Sequence, residues 1–137
     1  MKTCPKDSER TIVTGGGAVG DRGFFVKPTI VTDVAQDSEI VQDEVFGPVL
    51  AVMPFDDEAD AIAQANDTRY GLNAMVFTEN LSRAHRMVRG IRAGVVHVNT
   101  YGGTDITVPL GGVRQSGNGH DKSMHALDKY LDLKTAW

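Results

Sequence analysis

The sequence is poor in features that mark several classes of protein. Cys4 is the only cysteine among 137 residues, so no disulfide can form within the chain, as is typical of an intracellular compartment. Lys and Arg number 14 against 18 Asp and Glu, and the formal net charge of −4 argues against a nucleic-acid partner. No apolar run is long enough to cross a bilayer, and the first six residues lack the apolar stretch of a signal peptide. We therefore expect a cytoplasmic protein with neither a membrane nor a nucleic-acid partner.

The sequence also lacks the residue patterns of common catalytic and metal sites. His120 and His125 are five residues apart, which misses the i, i+4 pairing of a helical metal site, and the other two histidines have no ligand spacing. No Ser-His-Asp arrangement with a nucleophile elbow is present. Cys4 precedes Pro5 and has no positioned base, so we interpret it as a surface cysteine. We predict no metal site and no catalytic residue in this chain.

Glycine is plentiful, and two glycine-rich stretches have more than one interpretation. Gly15, Gly17 and Gly20 have the spacing of the dinucleotide-binding fingerprint, which requires a helix that begins at the glycines. The aromatic and β-branched residues that follow, up to Pro28, indicate a strand instead, so we predict a hairpin or loop. The glycines of residues 111–119 could cradle an anion ahead of a helix, and we favour simple turns there.

The order of apolar patterns predicts an α/β domain with a mostly parallel sheet and crossover helices. The predicted strands are residues 11–14, 24–34, 49–55, 74–78, 95–98 and 130–137. The predicted helices are residues 58–66, a second that starts at 80 or 82 and ends before 94, and 121–129, with a short turn capped by Ser38. No linker or internal repeat is present, so we expect residues 1–137 to be a single domain segment without an internal boundary.

The most informative stretch is E-V-F-G-P-V at residues 44–49, between two predicted strands. Gly47 can adopt backbone angles that other residues avoid, while Pro48 fixes its own φ and pushes Gly47 towards an extended conformation. Such a corner would hold Glu44 where its carboxylate accepts two hydrogen bonds from a diol such as a ribose. It would also hold the ring of Phe46 against a flat heterocycle. The alternative is a plain turn with Phe46 in the core and Glu44 in solvent.

Several motifs, taken together and in order, resemble the NAD(P)-dependent aldehyde dehydrogenase family. They are F-V-K-P-T at 25–29, E-V-F-G-P-V at 44–49, A-N-x-x-x-Y-G-L at 65–72, A-G-x-V-x-V-N at 93–99, and P-L-G-G with Q-S-G at 109–117. The resemblance runs from Phe24 to Trp137 and corresponds to the C-terminal part of the family's catalytic domain. Residues 116–126 and 134–137 are most similar to γ-glutamyl-aminobutyraldehyde and related aminoaldehyde dehydrogenases.

The resemblance implies roles for five residues. Glu44 would bind the nicotinamide ribose of NAD or NADP, and Phe46 would pack near the nicotinamide ring. Tyr101, Asp105 and Leu110 would line the tunnel through which the aldehyde reaches the site. Leu110 stands where the family usually carries Phe, which changes the shape of that pocket. Asp105 could attract a cationic aldehyde or could merely form a turn.

The resemblance also implies what this chain does not supply. The family's nucleophilic cysteine, its general-base glutamate and its Rossmann-type cofactor domain lie upstream, and nothing here matches them. The parent enzyme would oxidise an aldehyde to a carboxylate through a cysteine thiohemiacetal, hydride transfer to NAD(P) and hydrolysis of a thioester. We therefore expect a C-terminal aldehyde dehydrogenase fragment that is inactive alone.

Two other interpretations stay open beside this one. The chain could be a non-catalytic structural or partner-binding module that keeps the fold, or a truncated reading frame with no independent role. Residues 130–137 are rich in strand formers with alternating apolar side chains, and we expect this C-terminal strand to form a homo-oligomer.

Overall fold

The fold is that of a computed structural model, which describes residues 10–103 and 105–137. Strands and helices alternate along the chain, and the predicted α/β class is confirmed. The chain divides into two compact units, the first ending at Asp56 and the second beginning at Asp57. That residues 1–137 form a single domain segment stays a prediction. Within the described residues, no helix has the length and apolar character needed to cross a membrane.

The first unit is built on a three-stranded sheet. Its elements are β1 (Thr11–Thr14), β2 (Thr29–Thr32), the short helix α1 (Glu39–Gln42) and β3 (Val49–Ala51). β2 lies in the middle, antiparallel to β1 and parallel to β3, and α1 makes the crossover that a parallel pair requires. Val31 of β2 is 1% exposed and Ile40 of α1 is also buried, so both side chains belong to the apolar core.

Residues 15–28 form a hairpin arm between β1 and β2, which agrees with the hairpin or loop predicted at the glycines, and no helix begins there as the dinucleotide fingerprint requires. Ala18 bridges to Val26, and the Val19 N–H donates to the Phe25 carbonyl at 2.9 Å. At the base of the arm, Gly15 has φ +81°, and a Cβ there would lie 2.2 Å from a backbone oxygen, so this position requires glycine.

Two predicted strands of the first unit are shorter than expected. The predicted strand 24–34 is only Thr29–Thr32, because the residues before it pair within the arm and Pro28 has no N–H to donate. The predicted strand 49–55 ends at Ala51, with one further hydrogen bond from Val52 to Val31. Ser38 stands at the N-terminus of α1, but its hydroxyl donates to the Ala35 carbonyl and does not cap the helix.

The second unit begins with a helix, which is followed by a β-α-β arrangement. Its elements are α2 (Glu58–Asn66), β4 (Asn73–Val76), α3 (Leu81–Gly90) and β5 (Val95–Val98). The carboxylate of Asp57 and the amide oxygen of Asn80 accept hydrogen bonds from the first turns of α2 and α3, both at 2.9 Å. These are N-caps, which fix where each helix starts. β4 and β5 are parallel in unbroken register, with Val76 and Ala84 buried between sheet and helix.

The rest of the second unit contains little regular structure. β6 (Leu110–Gly111) pairs antiparallel with β7 (His120–Asp121), and 3₁₀ turns cover Arg114–Ser116 and Met124–Tyr130. The predicted helix 121–129 is therefore a 3₁₀ helix that starts three residues later. The sheets are small and separate, and two of the four strand pairs are parallel.

The prediction of a strand at residues 130–137 is wrong, since the structure has no strand there. Tyr130 ends the 3₁₀ helix, and Leu131 has extended backbone angles, but residues 131–137 pair with no strand of the described chain. Leu133 and Trp137 are fully exposed. The alternating pattern favours an extended backbone, but a strand also needs a partner for its N–H and C=O groups, and β6 and β7 offer only two residues each.

Candidate functional site

The segment between α1 and β3 carries the first candidate site, and hydrogen bonds fix its shape. The Pro48 carbonyl accepts from the Thr29 N–H of β2 at 2.8 Å. The Gly47 carbonyl accepts from the Val49 N–H, also at 2.8 Å, which closes a tight turn around Pro48. Since Thr29 is itself buried in the sheet, the Gly47–Pro48 corner is anchored to the best-packed strand of the unit.

Phe46 has an unusual backbone conformation. Its φ is +49°, in the left-handed region that non-glycine residues rarely occupy, whereas Gly47 has no positive φ, in accord with the residue before a proline. Such a conformation costs on the order of 1–3 kcal/mol, and it persists where the surrounding structure imposes it. Phe46 is also 90% exposed, so the alternative that placed its ring in the core is wrong.

The ring of Phe46 forms one side of an apolar surface groove. The groove is lined by Phe24, Val26, Phe46, Gly47 and Pro48. Phe24, like Phe46, is 90% exposed, so two aromatic rings lie open at one place. Sequence analysis missed Phe24 and Val26 as site residues, because it placed them in a strand. The available signal was the F-F pair at residues 24 and 25, directly before V-K-P-T.

Glu44 lies two residues before Phe46 on the same turn and is exposed. Its carboxylate makes no hydrogen bond or ion pair within the described residues. An exposed carboxylate beside an apolar aromatic groove can accept hydrogen bonds from a hydroxylated ligand while the rings pack on its flat part. Glu44 and Phe46 thus both have exposed side chains in the segment between α1 and β3.

The second candidate site is the loop of residues 101–110, in the second unit. Tyr101 is 83% exposed, and Leu110 is half-buried in β6. Oδ1 of Asp105 accepts both the N–H and the hydroxyl of Thr107, each at 2.8 Å. Asp105 thus forms a turn, which was one of the two predicted roles. Among the described residues, no hydrogen bond joins Tyr101, Asp105 and Leu110.

The charge of Asp105 is favoured by its surroundings. The N–H of Thr107, then its hydroxyl, lower the pKa of Asp105, and the charge of Lys122 lowers it further. Asp105 is therefore an anion at neutral pH. Its loop is tied to the chain after β7 by the Ser123 N–H, which donates to the Ile106 carbonyl at 2.7 Å.

A guanidinium anchors the segment that follows this loop. Arg114 has φ +57°, and its Nη1 donates to the Asn66 carbonyl at 2.6 Å and to the Thr68 carbonyl at 2.5 Å. These carbonyls lie at the C-terminus of α2, where helical acceptors lack intrahelical donors. The Asn66 side chain in turn binds the backbone of Gly90 and Arg92 at 2.7 Å each.

Three of the sequence motifs meet at Gly71. Its carbonyl accepts from the N–H groups of Gly94 and Val113, each at 3.0 Å, and its N–H donates to the Ser116 hydroxyl at 3.0 Å. The motifs at 65–72, 93–99 and 109–117 are thus one structural unit. It holds the C-terminal end of the candidate loop against β4 and β5.

Two further parts of the sequence analysis concern Cys4 and metal ligands. Cys4 lies outside the described residues. Across residues 10–103 and 105–137, no group of three or more His, Cys, Asp or Glu side chains could hold a metal ion. Neither candidate site contains a thiol.

Comparisons with known proteins agree on one family. The model of the aldehyde dehydrogenase family matches residues 5–136. The chain is 54% identical over 112 residues to the NADP/NAD-dependent aldehyde dehydrogenase PuuC of Escherichia coli, covering 82% of this chain and 23% of that protein. It is 46% identical over 129 residues to a betaine aldehyde dehydrogenase of Sinorhizobium fredii, covering 92% of this chain and 26% of that protein.

Solved structures give the same result. An indole-3-acetaldehyde dehydrogenase of P. syringae, AldA, solved in complex with NAD+ and IAA, superposes with a TM-score of 0.89 at 52% identity. That superposition covers 93% of this chain and 26% of AldA. The aldehyde dehydrogenase KauB from Pseudomonas aeruginosa superposes with a TM-score of 0.87 at 50% identity, covering 91% of this chain and 26% of KauB. The chain spans about a quarter of the length of the relatives it matches.

Proposed function

The chain belongs to the aldehyde dehydrogenase family, as its motifs predicted, and we propose that it is the C-terminal part of the catalytic domain of an NAD(P)-dependent enzyme. The parent reaction is oxidation of an aldehyde to a carboxylate. In this proposal the chain supplies one wall of the nicotinamide site and part of the substrate tunnel, and it has no activity alone. The cysteine nucleophile and the general base come from the upstream part.

The observation that carries the proposal is the strained, exposed Phe46 beside the unpaired Glu44. Within the described residues, packing gives no reason to hold a large apolar side chain 90% exposed in a left-handed conformation. A ligand-binding role supplies one, because the turn then presents the ring and the carboxylate together. The anchoring of Pro48 to β2 keeps that presentation rigid.

The residues present fit a nicotinamide nucleotide. The groove of Phe24, Val26 and Phe46 can cover a flat ring, and the Glu44 carboxylate can accept hydrogen bonds from two neighbouring ribose hydroxyls. The bound cofactor accepts a hydride from the substrate. These residues orient it, and the apolar groove excludes water from one side of the ring.

For the second candidate site we propose a role in substrate access. Tyr101 presents an exposed ring, Leu110 shapes the wall where the family usually has Phe, and Asp105 contributes a fixed negative charge. Such a surface favours cationic aldehydes over neutral ones of similar length. The name of one relative, a betaine aldehyde dehydrogenase, accords with a cationic aldehyde.

The exposed tail of residues 131–137 supports a role in assembly. Leu131, Leu133 and Trp137 expose large apolar side chains, and the backbone of the tail lacks a strand partner within the described residues. We place a homo-oligomer contact here, in which the tail pairs with a strand of another copy. This observation also favours the second candidate function, a non-catalytic oligomerisation module. The cytoplasmic location stays a prediction.

A chimera separates these two functions. The matching C-terminal segment of E. coli PuuC is replaced by this chain, which is 54% identical to it. The proposal predicts NAD(P)-dependent oxidation of aldehydes by the chimera and none by the chain alone. A chimera that folds and assembles but neither binds NAD(P) nor oxidises aldehydes would leave only the oligomerisation role.

A further inference from the structure

The turn between β6 and β7 contains an asparagine in an unusual setting. Of the five asparagines in the sequence, Asn118 alone is followed by glycine. Asn118 and Gly119 are both exposed, and neither belongs to a helix or strand. The Gly119 N–H donates no hydrogen bond to any described residue. Both groups needed for an intramolecular reaction, a side-chain amide and the next backbone nitrogen, are therefore accessible.

The backbone around Asn118 is also unusually unhindered. Gly117 and Gly119 flank it, and a Cβ built on either would meet no atom within 4 Å. Glycine on both sides lets the backbone rotate until the Gly119 nitrogen reaches the side-chain carbonyl of Asn118. The other asparagines differ: Asn66, Asn80 and Asn99 all use their side chains in hydrogen bonds. Asn73 lies in β4 and precedes Ala74.

We propose that Asn118–Gly119 is a site of spontaneous deamidation and isoaspartate formation in the folded chain. The Gly119 nitrogen loses its proton and attacks Cγ of Asn118. The new N–C bond forms as the Cγ–Nδ2 bond breaks, and ammonia leaves. Water then opens the five-membered ring. Cleavage of the new bond to Cγ gives aspartate, and cleavage of the original peptide bond gives isoaspartate.

The modification changes both charge and backbone length next to a close approach of two backbone segments. Either product adds one carboxylate to a chain whose formal charge is already −4. Isoaspartate also inserts one methylene into the main chain directly before Gly119. The Gly119 carbonyl lies 2.6 Å from where a Cβ of Gly111 would be, so the two backbones already approach closely. We expect isoaspartate to break the pairing of Gly111 with His120, and so to loosen β6, which carries Leu110.

The test is incubation of the purified full chain in neutral and mildly alkaline buffer at physiological temperature. Tryptic cleavage after Arg114 and Lys122 releases residues 115–122, and mass spectrometry measures the exchange of an amide NH₂ for OH in that peptide. Isoaspartyl methyltransferase identifies the isoaspartate fraction. Modification at Asn118 should be on the order of tenfold faster than at Asn73, an exposed asparagine of the same chain. The rate should rise with pH.

Two variants make the result decisive. Asn118→Gln and Gly119→Ala should each abolish or strongly slow the modification, and neither removes a contact of the described fold. Hydrogen exchange of the amides of β6 and β7 should quicken as isoaspartate accumulates in the native chain and stay constant in Gly119→Ala. A folded chain in which Asn118 changes no faster than Asn73, while the urea-unfolded chain reacts at Asn118, would overturn the proposal. So would modification in Gly119→Ala at the unaltered rate.

Discussion

Replacing Gly94 by alanine tests the packing that assembles the second candidate site. A Cβ at this position would lie 1.8 Å from the Gly111 carbonyl oxygen and 2.7 Å from its carbon. Atoms in normal contact are about 3.5–4.0 Å apart, so relief of the clash needs a backbone movement of about 1.5 Å or more. The obstructing atoms belong to the main chain of β6, so rotation of a side chain cannot relieve the clash.

The expected loss of stability is large for the addition of one methyl group. Overpacking of this kind costs typically 1–3 kcal/mol, and we expect Gly94→Ala to lie at about 3 kcal/mol because only backbone can move. Separation from β6 would also lengthen the hydrogen bond from the Gly94 N–H to the Gly71 carbonyl. In a chain of this size the melting temperature should fall by about 10 °C.

Urea unfolding followed by circular dichroism measures this loss at low protein concentration, and Gly119→Ala is the matched control. A Cβ on Gly119 meets nothing within 4 Å, so that variant should keep the stability of the parent chain or gain about 0.5 kcal/mol. If Gly94→Ala and Gly119→Ala unfold within about 0.5 kcal/mol of each other, the close approach of Gly94 to Gly111 of β6 is refuted.

Three further predictions concern stability and assembly. Arg114→Ala should destabilise the chain by about 2 kcal/mol, since two backbone carbonyls lose a charged donor, and Arg114→Lys should recover part of that loss in the same urea assay. Hydrogen bonding to Arg86 lowers the pKa of Glu58 in the folded chain from 4.5, so its contribution to stability is present above pH 4.5 and is lost as the pH falls through the lowered value. Glu58→Gln should therefore reduce the fall in melting temperature on acidification, and an unchanged fall would contradict this role. The full chain should self-associate, and deletion of residues 131–137 should reduce the particle mass measured by light scattering. A full chain that is monomeric at high concentration would disprove the contact.

The sequence alone was sufficient to predict a helix or strand where neighbouring residues fix its start or its end. The helix at residues 58–66 was predicted to the residue because Asp57 is a strong N-cap and its carboxylate binds the first turn. The strand at residues 95–98 was equally clear, since Gly94 precedes it and Asn99 follows it with a φ of +53°. In both places the residues that decide the structure are neighbours in sequence.

Prediction was wrong where the pairing partner of a segment, and not the pattern of its own residues, decides the structure. The hairpin arm removed Phe24 and its neighbours from the predicted strand, and placed that ring in the groove of the candidate site. The effect of Pro48 on Gly47 was predicted, but the left-handed conformation of Phe46 was not, because it arises where the turn is bonded to β2 through Pro48. Residues 131–137 have the alternation of a strand, but pairing depends on a partner that the sequence pattern cannot supply.

The role of Glu44 at the nicotinamide is tested most directly by single-turnover hydride transfer in the PuuC chimera, followed by NAD(P)H absorbance. Glu44→Gln keeps the size of the side chain but removes its charge, and it should slow hydride transfer by an amount equivalent to about 1–3 kcal/mol. The control Glu79→Gln changes an exposed carboxylate of the second unit and should leave the rate unchanged. A Glu44→Gln chimera with the cofactor affinity and single-turnover rate of the unmodified chimera would contradict the assignment of this turn to the nicotinamide site.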